Sequence, residues 1–196
     1  MKSKGRFRFI SLSTIVLLVG AVVLSISLHT ISTARAASVP TGIHIVGNKI
    51  EDSSGRVLIP RGVDRMGTEY SCLYGHTFDG PVDQTAVSAI LTWNVGIVRV
   101  PLNEDCWLGI NGEPASGLSV GTYQQDVVNW VNLLNRNGLL VILDLHWNNN
   151  GGNKSVGQEQ MPDLDHTPAF WNSVAYKFKS NSSVIFDLYN EPHDIS

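Results

Sequence analysis

The stretch Leu139-Leu-Val-Ile-Leu-Asp-Leu-His-Trp147 decides how this chain folds. Asn137-Gly138 precedes it and an Asn/Gly-rich segment follows, so both ends are marked by turn residues. Between them the residues are almost continuously apolar, without the alternation of a sheet that has one wet face. That suits a parallel strand covered on both sides. Three further runs share the character: Leu58 to Val63, Gly96 to Leu102 and Val184 to Tyr189.

Three segments of helical period lie between the runs. The first opens at Asp83, a good N-cap, and puts Val87, Ile90 and Leu91 on one face. In the second, Thr122 and Gln125 have capping-box spacing, Tyr123, Val127, Val131 and Leu134 form a stripe, and Asn137-Gly138 stops it. The third takes Thr167 as cap and Pro168 as first helical residue, continues through Phe170, Val174 and Phe178, and ends near Asn181. Strand and helix alternating in this way specify an α/β fold with a parallel sheet. Neither phosphate-binding glycine pattern follows any strand, which argues against a nucleotide fold. The expectation is a (β/α)8 TIM barrel truncated to about four βα units. A β-hairpin over Ile43 to Ile59, turning at Gly47-Asn48 and Ser53-Ser54-Gly55, would cap its N-terminal end.

The first 36 residues obey other rules. Lys2, Lys4, Arg6 and Arg8 precede an apolar run from Ile15 to Leu28, and Ala34-Arg35-Ala36 follows. Basic head, apolar centre and small-residue exit read as a secretory signal peptide cleaved after Ala36, which leaves residues 37–196 as the mature chain. The alternative is an uncleaved anchor, since Phe9 to Ile31 is long enough for ~30 Å of hydrocarbon; membrane contact is expected only through this segment. Without the leader, nine Lys and Arg face seventeen Asp and Glu, a formal charge of −8. So acidic a chain suits neither phosphate backbones nor nucleic acid as a partner. Cys72 and Cys106 are the two cysteines. They fall in the loops after the first and second runs, which neighbouring parallel strands bring together, and export makes a disulfide between them chemically possible. No C-x-x-C or Cys/His cluster is present, so neither a structural zinc nor any other cofactor is expected.

Polar residues gather where the runs end, which is the functional end of a parallel barrel. The first run leads to Asp64, the second carries Arg99 and leads to Asn103, the third ends on His146-Trp147, and the fourth leads to Asn190-Glu191-Pro192-His193. His146 shares its parity with Asp144 and Ile142, and Glu191 with Tyr189 and Asp187, so both are expected to face the barrel interior. A carboxylate buried among aromatics keeps its proton near neutral pH and suits general acid work. Glycoside hydrolysis pairs such an acid with a second carboxylate, ~5–5.5 Å away in retaining enzymes. Trp147, Trp107, Tyr70 and Tyr74 are candidate platforms for sugar rings, with ordinary packing the competing explanation for each. Arg99 needs a buried carboxylate partner, and Glu191 is the natural candidate. Asp144 and Asp187 lie one layer below and are expected to orient Arg99 or His146. His44 and His166 read as ordinary structural histidines, and His193 is either a site residue or a loop cap.

The segments Gly96-Ile-Val-Arg-Val-Pro-Leu102, Val141-Ile-Leu-Asp-Leu-His-Trp147 and Phe186-Asp-Leu-Tyr-Asn-Glu-Pro-His193, in this order, resemble glycoside hydrolase family 5 of the retaining (β/α)8 clan. Gly47-Asn48-Lys49-Ile50 through Arg61-Gly62-Val63-Asp64 is similar to that family's entry into the first barrel strand. The resemblance implies Glu191 as acid/base, Asn190 as the contact to the sugar 2-hydroxyl, Arg99 as support for the catalytic carboxylates, and His146 at the subsite beside the cleavage point. It also implies a glutamate nucleophile on a seventh strand, beyond Ser196. The chain is therefore expected to be an N-terminal fragment, inactive alone, with its first and fourth strands left as edges. The implied function is cleavage of β-1,4-glucan, cellulase-type, in polysaccharide breakdown outside the cell, with a β-linked polysaccharide as partner. A β-mannanase or a β-1,3- or β-1,6-glucanase is the alternative within the family; a non-catalytic carbohydrate-binding protein is the alternative outside it.

Overall fold

The computed structural model describes residues 38–194, so the expected leader over 1–36 lies outside the described residues. Two sheets are present among the described residues. The smaller is an antiparallel meander of β1 (His44–Val46), β2 (Lys49–Glu51) and β3 (Val57–Leu58). The larger is parallel, in the order β4 (Gly62–Asp64), β5 (Ile97–Asn103), β6 (Leu140–Trp147) and β7 (Val184–Asp187). Helices α1 (Gln84–Leu91), α2 (Glu104–Leu108), α3 (Val120–Arg136) and α4 (Thr167–Phe178) fill the connections. Strand, helix and strand thus follow one another around one arc of a barrel, with β4 and β7 as the edges.

The first expected strand, Leu58 to Val63, is in fact two. Pro60 lacks the N–H a ladder requires, and the chain changes sheets around it: Leu58 pairs with Ile50 in the meander, while Gly62 opens the barrel arc opposite Ile97. The capping meander accordingly gains a third strand beyond the expected hairpin. At Gly62 the two barrel strands approach so closely that a Cβ would sit 2.2 Å from the Ile97 carbonyl oxygen, which leaves no room for a side chain.

The outer face of the arc is the core. Val98, Val100 and Leu102 of β5 and Val141, Leu143 and Leu145 of β6 are fully buried. They belong to one cluster with Tyr123, Val127, Val131 and Leu134 of α3 and with Phe170, Val174 and Phe178 of α4. Each such side chain contributes ~1.5–3 kcal/mol when withdrawn from water. The alternation of strand side chains then sends Arg99, Asp144 and His146 to the opposite, inner face. Asp83 caps α1 by accepting the Ala86 N–H at 2.9 Å, as its position suggests, but Leu91 is substantially exposed. In α3 the cap is Ser119, whose Oγ accepts the Thr122 N–H at 3.1 Å. The helix therefore begins at Val120, before the expected box. His166 occupies the N-cap position of α4, and Thr167 is already helical.

Candidate active site

Arg99 holds the inner face together. Its Nη2 lies 2.9 Å from Asp144 Oδ2 and 2.9 Å from Asn190 Oδ1, and Asp187 Oδ2 is 3.3 Å away. Its Nη1 reaches Asp64 Oδ2 at 3.3 Å. Four strands, β4 to β7, thereby contribute to one polar centre. Asp144 is fully buried, and its Oδ2 also contacts His146 Nδ1 at 2.8 Å, so one carboxylate orients both the guanidinium and the imidazole. Burial raises the Asp144 pKa above the usual carboxylate value, against the hydrogen bond from His146 and the charge of Arg99. For His146, burial works to lower the pKa, but the hydrogen bond and charge of Asp144, with Glu69 adding to them, leave it raised. Burial also depresses Arg99, and the carboxylates of Asp144, Asp64 and Asp187 more than reverse it.

Asp144 and Asp187 thus take the orienting places expected of them. Glu191 does not pair with Arg99. Parity fails because β7 stops at Asp187, so the residues beyond it no longer alternate. Tyr189 turns into the outer core, where its hydroxyl donates to Asn148 Oδ1 and to the Glu159 carbonyl. Asn190 is buried against Arg99 and Gln158, and Glu191 is exposed with a left-handed φ of 43°. That conformation costs a side-chain-bearing residue ~1–2 kcal/mol. Glu191 is therefore not the carboxylate buried among aromatics that the strand pattern implied.

The aromatic candidates divide. Tyr70 and Trp147 are half-buried and face each other with ring centroids 6.3 Å apart, from the ends of β4 and β6. Tyr70 donates its hydroxyl to Asp79, which drives the phenol's pKa up to about 12. Tyr74 is exposed in the 3₁₀ turn Ser71–Tyr74. Trp107 offers no platform. It is fully buried, edge-on to Tyr123 and Phe170, and its indole N–H donates to Ser173 Oγ at 3.0 Å. The helical turn of α2 after Asn103 points it into the core. Asn103 is structural as well: it caps α2 and donates to the carbonyls of Glu69 and Ser155, joining the loops after β4 and β6.

Cys72 and Cys106 form a disulfide across the loops after β4 and β5, with Cα atoms 6.2 Å apart. The His44 side chain bonds the Gly42 carbonyl, and His193 sits on Asp194 at the surface. His166 stands beside two carboxylates, 3.9 Å from both Glu104 and Asp165. Sequence reasoning passed over Glu69, Glu104 and Asp105. All three are buried, and burial raises each pKa, that of Glu104 to about 9 with Asp163 beside it. The signal available was an acidic pair directly after a buried strand, at Glu104-Asp105.

The family model described as Cellulase (glycosyl hydrolase family 5) matches residues 61–196. An endoglucanase of Paenibacillus polymyxa is 25% identical over 177 residues, which is 84% of this chain and 43% of that protein. The manganese dependent endoglucanase Eg5A of Phanerodontia chrysosporium is 30% identical over 148 residues, covering 70% of this chain and 36% of that protein. An endocellulase from Pyrococcus horikoshii, solved with cellotetraose, superposes with a TM-score of 0.59 at 21% identity, over 81% of this chain and 46% of that one. The chain spans less than half the length of each of these relatives.

Proposed function

Because this chain belongs to glycosyl hydrolase family 5, the cellulase family, we propose that it is the N-terminal half of the catalytic barrel of a secreted, retaining β-1,4-glucan hydrolase. The observation that carries the proposal is the convergence of Asp64, Arg99, Asp144, His146, Asp187 and Asn190 on one face at the strand ends. In the proposed mechanism Glu191 protonates the glycosidic oxygen and later deprotonates the attacking water. A glutamate on a later strand, outside this chain, attacks the sugar. Asn190 meets the sugar 2-hydroxyl. Its Oδ1 is held by Arg99, and its Nδ2 donates one N–H to Gln158 Oε1 at 2.5 Å, which leaves the second N–H for a sugar hydroxyl. His146 donates or accepts at the adjoining subsite, its tautomer set by Asp144. Tyr70 and Trp147 supply stacking surface.

The endoglucanase names of the relatives favour a glucan over mannan, and the family description, cellulase, favours the β-1,4 over the β-1,3 linkage. Initial rates on soluble cellulose, glucomannan and β-1,3-glucan, measured on protein in which later strands complete the barrel, test this. Preference for cellulose is expected; negligible cellulose cleavage beside rapid turnover of another polymer would overturn the choice of substrate. Secretion with cleavage after Ala36 predicts extracellular protein beginning at Ala37, which N-terminal sequencing reads directly.

A further inference from the structure

A second cluster of donor atoms lies apart from the Arg99 centre. Glu104 opens α2 at the end of β5, and Asp163 and His166 stand in the long loop between β6 and α4. Glu104 is fully buried. Its Oε2 accepts the Thr167 hydroxyl at 2.8 Å, whereas its Oε1 has no hydrogen-bond partner. An unpartnered, fully buried oxygen of this kind is a candidate ligand atom for a cation. That oxygen lies 3.9 Å from His166 Nδ1. Asp163 is fixed in place, its Oδ1 accepting the N–H groups of His166 at 2.7 Å and Thr167 at 3.1 Å, and its Oδ2 accepting Asn148 Nδ2 at 2.9 Å. One donor atom from each of Glu104, Asp163 and His166 lies within 4.8 Å of the other two.

From this arrangement we infer that Glu104, Asp163 and His166 bind a divalent first-row cation, of which Zn2+ and Mn2+ best suit a site of two carboxylates and one imidazole. Two ligands each ~2.1 Å from an ion are ~3.4 Å apart in a tetrahedral site, so Glu104 Oε1 and His166 Nδ1, 3.9 Å apart, and an Asp163 oxygen within 4.8 Å of both draw together by about 0.5–1.4 Å when the ion binds. Coordination through Nδ1 gives up its 3.4 Å contact with the Asn149 carbonyl. It leaves Nε2–H toward Asp165 Oδ2, 3.9 Å away, the side from which a carboxylate orients a ligating imidazole. A cavity of about 280 Å³ bounded by Asn148, Asn149, Glu159 and Asp163 lies on the Asp163 side of the cluster. The ion would tie the loop that carries Gln158, the partner of Asn190, to the start of α2 and so to the barrel wall.

The test uses the full chain, freed of metal by chelator and titrated separately with Zn2+, Mn2+, Mg2+ and Ca2+ at pH 7.5. Calorimetry should find one site per chain for Zn2+ or Mn2+, with Mg2+ and Ca2+ at least ~10-fold weaker, and the melting temperature should rise with the bound ion. His166→Ala and Glu104→Gln should each weaken that site ~10–100-fold. Far-UV circular dichroism and metal-free melting of the half-buried His166→Ala variant show that it keeps the fold. Absence of binding at millimolar Zn2+ and Mn2+ would overturn the site, as would binding undiminished in both variants. Equal affinity for Ca2+ that ignores His166→Ala would do the same.

Discussion

Replacing Asp144 by Asn perturbs the centre of the polar face by one charge at almost constant volume. The carboxylate is fully buried and makes two short contacts to cationic groups, 2.9 Å to Arg99 and 2.8 Å to His146. Hydrogen bonds to charged groups contribute ~1.5–3 kcal/mol each, so the gross loss is about 3–6 kcal/mol. Some of it is offset, because Asp144 Oδ1 has no partner and the desolvated charge disappears. Arg99 also keeps Asp64 and Asp187, both at 3.3 Å. A net loss of ~2–4 kcal/mol remains, which lowers the melting temperature of a domain this size by roughly 5–15 °C. The pH dependence carries its own sign. The folded pKa of His146 is raised chiefly by Asp144 against burial, so in the range just above 6.5 the folded chain binds a proton that the unfolded chain has released. Stability from this group is fully present below 6.5 and declines as pH rises through the folded value. Asp144→Asn removes the cause, so the stability gap between the two proteins should be wider at pH 6 than at pH 8.5. Urea denaturation at both pH values and NMR titration of the His146 ring measure it. Equal stability, together with an unchanged His146 titration, would refute the assignment of Asp144 as the group orienting both cations.

Three further outcomes follow from the disulfide and the two tryptophans. Replacing Cys72 and Cys106 together opens a link between residues 34 apart, which should cost ~3–4 kcal/mol and lower the melting temperature by roughly 7–15 °C; differential scanning calorimetry checks it, and an unchanged melt would contradict it. Trp107→Ala should destabilise by ~3–5 kcal/mol, since the ring is wholly inside the core. Trp147→Ala should instead leave the melt nearly unchanged and weaken oligosaccharide binding by ~0.5–1.5 kcal/mol, a factor of a few to about ten. Calorimetric melts and binding isotherms on both variants separate a packing tryptophan from a stacking one.

The parallel arc was readable because buried strands repeat between helices with a common period, and Arg99, Asp144 and His146 lie inside long strands where alternation holds. Asp144's place beside both cations follows from that same alternation. Reading failed where periodicity stops. Pro60 splits what looks like one run, and β7 ends at Asp187, after which neither Tyr189 nor Glu191 keeps its expected side. Trp107 misled because the loop after β5 turns at once into the short helix α2, so a residue just past a strand end faces the core. The Glu104-Asp105 pair after β5 was a visible signal, but the cluster was not, since Glu104 is separated from Asp163 and His166 by the whole of α3 and β6 and meets them only through the fold.

The central claim is that Glu191 serves as acid/base in β-1,4-glucan hydrolysis, and Glu191→Gln tests it most directly. The amide keeps the shape of the side chain and has no proton to give. In protein with the barrel completed, turnover of soluble cellulose should fall by at least ~10²–10⁴-fold while oligosaccharide binding is largely retained. An aryl cellobioside with a good leaving group should lose far less in its glycosylation step, because its departure needs no proton. Wild-type turnover of cellulose by Glu191→Gln would contradict the claim outright.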